Sequence, residues 1–143
     1  MPYQYLEDIA TSDAAFEAWG GTLEDMFLAA ADATMNVMVE NLDGIADKER
    51  RMIRVEAEAI DLLLFQLLQE LIFFKDAERL LLRVSRTDIQ GTAGHFTCAA
   101  ETYGEEINPD RHELIVDVKA VTLHRFRVEQ TPRGWETTVI LDI

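Results

Sequence analysis

Only one cysteine, Cys98, occurs in the 143 residues. It can form no intramolecular disulfide and supports no cysteine-based zinc cluster. Proline and glycine are sparse, at three and seven, and never gather into a linker, so residues 1–143 read as a single domain. Basic residues are scarce as well. Thirteen Lys and Arg against 27 Asp and Glu leave a formal charge of −14 and a sequence pI near 4.4. Such a surface repels phosphate backbones and anionic lipids, so no direct nucleic-acid binding is expected, and a cationic protein partner or metal ions fit better. The most apolar stretch, Ile60 to Phe74, is interrupted by Asp61, Gln66, Gln69 and Glu70. It also falls short of the ~20 residues a membrane span needs. Met1-Pro2-Tyr3 has neither the basic n-region nor the apolar h-region of a signal peptide. A soluble, cytoplasmic chain with no membrane partner is the expectation.

What is present is an ordinary globular composition, 48% hydrophobic. Tyr3 to Leu6 and Ala14 to Trp19 read as short strands. Gly20-Gly21 breaks the chain, and Thr22 follows as an N-cap with Asp25 three residues on. Leu23, Met26, Phe27, Ala30, Thr34, Val37 and Met38 then recur at helical spacing, which predicts a helix from about Thr22 to Asn41. Arg51 to Glu56 alternates like a strand. A second helix, about Glu58 to Phe74, is apolar around most of its circumference, with Glu58, Gln66, Gln69 and Glu70 as its wet edge, and is expected at the centre of the core. Arg79 to Ile89, His95 to Tyr103, Leu114 to Glu129 and Trp135 to Ile143 are strand candidates joined by short loops. Parallel crossovers need a dozen residues or more. The expected class is therefore α+β: a mainly antiparallel sheet with two principal helices packed on one face.

Candidate chemistry collects near the two ends. Val139-Ile140-Leu141-Asp142-Ile143 ends on a strand-like run that sets the Asp142 carboxylate one residue from the Ile143 α-carboxylate. Oxygen-only clusters suit hard divalent cations such as Ca²⁺ or Mg²⁺. The plainer alternative is a strand that ends where its pairing ends. Asp13, in Thr11-Ser12-Asp13, is explicable as a turn residue. If the N-terminal segment pairs near the final strand, however, Asp13 joins the other two anions, and a divalent ion would relieve their repulsion. In the 114–129 strand, alternation puts Lys119 beside Asp117 on one face and His124 on the apolar face, as a packed core residue. Lys119 and Asp117 could equally form a solvated, weakly paired surface. His95 and His112 share no metal-ligand spacing. Glu105-Glu106 precede a polar loop and read as capping or solvating groups. With no phosphate loop, nucleophile elbow or zinc motif, an ordinary enzyme is poorly supported.

Tyr5-Leu6, Thr11-Ser12-Asp13, Ala18-Trp19-Gly20, Thr22-Leu23-Glu24 and Phe27 resemble the N-terminal pattern of the archease family. Gly104-Glu105-Glu106-Ile107, Val118-Lys119-Ala120-Val121-Thr122-Leu123-His124, Gly134-Trp135 and Val139-Ile140-Leu141-Asp142-Ile143 extend the resemblance, in order, over nearly the whole chain. It departs where archeases commonly carry His-Thr-Ala-Asp and this chain has Ala10-Thr11-Ser12-Asp13. The resemblance implies an α+β fold and a helper rather than an enzyme. It implies an activator of the RtcB-type tRNA-splicing RNA ligase, promoting guanylylation of a ligase histidine and multiple turnover. It also implies a divalent-metal site (Ca, or Mg/Mn) at Asp13, Asp142 and Ile143, with Lys119 as a contact to the ligase or its nucleotide. Two other readings stand beside it: a general folding chaperone or adaptor, and a small metal-assisted enzyme using Asp13 and Asp142 as an acid/base pair.

Overall fold

Thr22 caps the first helix, as its place after Gly20-Gly21 predicts. In the computed structural model, which describes residues 2–7 and 13–143, its Oγ1 accepts the Asp25 N–H at 3.1 Å. Helix α1 (Leu23–Met38) buries Met26, Phe27, Ala30, Thr34, Val37 and Met38, the stripe expected at helical spacing. It stops at Met38 rather than Asn41 because Val39 turns extended and bridges Leu114. The Glu40 and Ile115 N–H groups then donate to the Glu113 and Met38 carbonyls at 2.9 and 2.8 Å. Helix α2 (Ile60–Glu78) buries Leu63, Leu64, Leu67, Leu68, Leu71 and Ile72 and ends at Arg79 in the left-handed region, φ 55°.

The strands form two antiparallel sheets, not the single sheet expected. β1 (Tyr3–Leu6), β2 (Asp13–Gly20), β6 (Ala120–Thr131) and β7 (Gly134–Asp142) make the first, in the order β1-β2-β7-β6. β3 (Glu49–Ala57), β4 (Leu80–Thr92) and β5 (His95–Glu106) make the second, in the order β3-β5-β4. The helices are not confined to one face of one sheet. α1 packs against β2 and β7 of the first sheet and β4 of the second; α2 packs against β3, β4 and β5 of the second and β6 of the first. The apolar core is therefore shared by both sheets, with Phe16, Ala18, Val139 and Leu141 contributed by β2 and β7. In the central strand β5, Gly104 pairs with Leu82 and Glu49, and a Cβ there would run into the Leu81 carbonyl oxygen.

The strand expected from Leu114 begins only at Ala120. Ala120 pairs with Asp142, the last residue of β7, and Lys119 reaches β7 only through its N–H to the Asp142 carbonyl, so residues 114–118 have no β7 backbone to meet. Another anchor holds them: the buried Lys75 of α2 donates to the Val118 carbonyl at 2.7 Å and pairs with Asp117 and, at 2.6 Å, with Asp76. Asp117 is thus committed to Lys75 and not to Lys119. Alternation fails as well, because β6 is irregular between Thr122 and Arg127, with Arg125 at φ 56°. An irregularity of this kind re-aims the residues within it, and His124 is exposed rather than packed in the core.

Candidate carboxylate site at the ends of β2 and β7

Asp13 opens β2 and Asp142 closes β7, and the register sets them directly opposite one another. Opposed residues of an antiparallel pair project to the same side with Cβ atoms about 5 Å apart. On the neighbouring pairs, Ala14 and Leu141 pack against the core, as do Phe16 and Val139. Asp13 and Asp142 belong to the other parity and stand on the outer face, half-buried. Ile143 follows at once, its side chain packed against the core. On the far side of β7, Ala120 pairs with Asp142, and the Lys119 N–H donates to the Asp142 carbonyl at 2.8 Å. The Lys119 side chain is exposed. Two strands, β2 and β6, therefore clamp the terminal strand at the residue that carries the second carboxylate.

Like charges directly opposed across two strands are destabilising. Among the described residues no three His, Cys, Asp or Glu side chains gather as a metal-ligand group. Asp13 and Asp142 offer two hard oxygen donors at this end of the sheet. Thr122, in register with Ile140 and on the same side as Ala120 and Asp142, keeps its Oγ1 buried without a hydrogen-bond partner. The donor set is all oxygen, which matches Ca²⁺, Mg²⁺ or Mn²⁺ rather than a thiophilic ion. Of the residues singled out from sequence, Asp13 and Asp142 are brought together, Ile143 is next to them and Lys119 flanks them. Position 10, where the family histidine is replaced, lies outside the described residues.

The remaining titratable groups have other roles. Glu105 is buried, and its carboxylate accepts from the Ala46 N–H and meets Arg111 and the His112 Nε2, the last at 3.0 Å. His112 Nδ1 accepts the Asn108 N–H at 2.9 Å, and its Nε2 lies between the Glu105 carboxylate and Arg111 Nη2. Burial, with Arg111 and Lys48 nearby, holds the His112 pKa below the usual range. This cluster ties the 45–48 and 107–112 loops to the end of β5. It is more than the capping role expected of Glu105. His95 pairs at the surface with Glu56 at 3.0 Å. Burial pushes the Cys98 thiol up to about 12, which leaves it inert at neutral pH. Sequence reasoning missed Lys75, although the spacing Leu64, Leu68, Leu71, Lys75 continues one helical stripe and could have placed its side chain in the core.

A family model described as the Archease protein family matches residues 3–143. The chain belongs to the archease family. It is 35% identical over 134 residues to protein archease of Pyrococcus abyssi, covering 93% of this chain and 94% of that one. It is 30% identical over 141 residues to protein archease of Methanosarcina mazei, covering 99% and 95%. The solution structure of Methanobacterium thermoautotrophicum protein 1598 superposes with a TM-score of 0.84 at 30% identity, over 99% of both chains. A crystal structure of an archease from Thermotoga maritima, described as a possible chaperone, shares the fold with a TM-score of 0.59 at 17% identity, over 96% and 97%. The archease fold thus carries the α+β architecture read from the sequence. No helix among the described residues is long and apolar enough to cross a membrane.

Proposed function

We propose that this archease activates an RNA ligase of the RtcB type in the cytoplasm, promoting its guanylylation and repeated turnover, without catalysing a reaction of its own. The reading rests on the direct opposition of Asp13 and Asp142. A repulsive pair held half-buried at a strand end is explicable as half of a cation site. We assign the remaining ligand to the Ile143 α-carboxylate. A divalent ion held there would supply charge neutralisation at phosphate oxygens. The chain's own residues do the rest. Asp13 and Asp142 present the oxygens, the β6 clamp fixes the end of β7, and the exposed Lys119 ammonium is free to meet a phosphate or a ligase carboxylate. The net charge of −14 steers the protein toward a basic, RNA-binding partner and away from free RNA.

The test is guanylylation of the purified ligase at limiting metal, with and without this protein. Stimulation is expected from the parent chain, with sharp losses for Asp142→Ala and for a chain extended by one residue after Ile143. Extension converts the carboxylate to an amide and moves the charge away. Lys119→Ala should fold normally and stimulate less. Full stimulation by both the extended chain and Asp142→Ala would end the metal assignment. A general folding helper would instead suppress aggregation of unrelated clients, and a metal-assisted enzyme would turn over a substrate with no ligase present.

A further inference from the structure

Eight large apolar side chains stand exposed among the described residues, and five of them lie on α2 or on the chain from 114 to 123: Phe73, Leu114, Ile115, Val116 and Leu123. Three contacts lock α2 antiparallel to the chain from 117 to 126. Lys75 holds Val118, Gln69 Oε1 accepts the Val121 N–H at 2.8 Å, and the Phe65 and Phe126 rings stack edge-on at 5.9 Å. Interpolation puts Phe73 level with Lys119, which is hydrogen-bonded to Asp142. Leu123 lies two residues beyond Val121, within the irregular stretch of β6, and is 59% exposed; Phe73 is 56% exposed. A hollow of about 200 Å³ opens between Met38, Lys75, Leu81, Ile107 and residues 114–117.

A run of exposed apolar side chains of this size marks a surface made for contact. Exposed carboxylates flank these segments: Glu40 and Glu113, with Asp76 and Asp117, which share the Lys75 ammonium. We propose that Phe73, Ile115, Val116 and Leu123 form the docking surface for the protein partner, which seats an apolar anchor in the hollow and basic side chains on the flanking carboxylates. This deepens the activator reading and rests on it: the occupant is the ligase. Docking and activation are then divided. Phe73, Ile115, Val116 and Leu123 hold the partner, while Lys119 and Asp142 act on it.

Phe73→Glu and Leu123→Glu test the division, with affinity for the purified ligase measured by titration calorimetry and stimulation measured over a range of activator concentrations. Both variants should weaken binding by about tenfold or more. Both should recover full stimulation at high concentration. Asp142→Asn should do the reverse, keeping its affinity within about threefold and losing maximal stimulation. Added negative charge would strengthen a purely electrostatic contact with a basic partner, so a loss isolates the apolar term. Should either glutamate lower the melting temperature, Phe73→Ser and Leu123→Ser replace them. Ligase affinities within about twofold of the parent for all these variants would overturn the proposal. So would a change confined to self-association, which would make a second copy the occupant. A parent chain that neither binds nor stimulates the ligase would instead overturn the activator reading.

Discussion

The Lys75 ammonium donates to the Val118 carbonyl at 2.7 Å and anchors the chain just before β6 begins. Lys75→Met keeps most of the apolar stem but leaves the Val118 carbonyl without its donor. Asp76 and Asp117 are exposed enough to rehydrate. A loss of about 1–3 kcal/mol is expected in urea unfolding. Amide exchange should quicken over residues 114–119 and stay unchanged in β3–β5. Unchanged exchange there would show that the segment is held by its bridge to Val39 alone.

Asp142→Asn removes one of two opposed charges. Without divalent ions the variant should be as stable as the parent or more stable, by up to about 1 kcal/mol. With millimolar Ca²⁺ or Mn²⁺ the parent should gain stability, since a ligand that binds only the folded state raises its melting temperature. The variant should not. Thermal melts across a metal series read both effects, and a parent chain indifferent to every ion tested would remove the cation from the account.

His112 sets an acid limit. Its pKa is held down in the folded state by burial and by Arg111 and Lys48, so the unfolded chain binds the proton first. The stability it contributes is complete above the ordinary histidine value, near 6.5. It is lost as pH falls from there through the lowered folded value. His112→Asn should flatten the decline of melting temperature between about pH 7 and pH 5 relative to the parent. Parallel declines would show that His112 carries no share of it.

Gly104→Ala tests the packing of the central strand. A methyl group there meets the Leu81 carbonyl, which β4 cannot withdraw without breaking its ladder to β5. A loss of about 3 kcal/mol or more is expected, read as a lowered urea midpoint or as insoluble expression. A variant as stable as the parent would mean that β4 and β5 slide to make room.

Helix periodicity was legible because α1 and α2 each bury a stripe that repeats along the sequence. The strands were legible through their turns, Thr131 to Gly134 above all. What alternation could not reveal was where a strand stops pairing. Residues 114–118 are as strand-like as those of β6, yet β7 ends before reaching them and a lysine from a helix takes them over. His124 was misplaced for a related reason: it lies in the irregular stretch between Thr122 and Arg127, where strict alternation no longer assigns a face. The acidic pair was suspected from the two ends of the sequence. Only the register, Asp13 against Asp142, makes it a pair, and register is a property of partners far apart in the chain.

That separation bears on how the molecule is made. β3, α2, β4 and β5 are consecutive and complete one sheet from neighbouring segments. β2 must wait for β7, a pairing of high contact order that closes slowly. During synthesis, then, the second sheet is able to form while the ribosome is still working, and β2 is left with its inner edge unsatisfied until the last strand emerges. The acidic pair comes into being only when β7 has been made and has found β2.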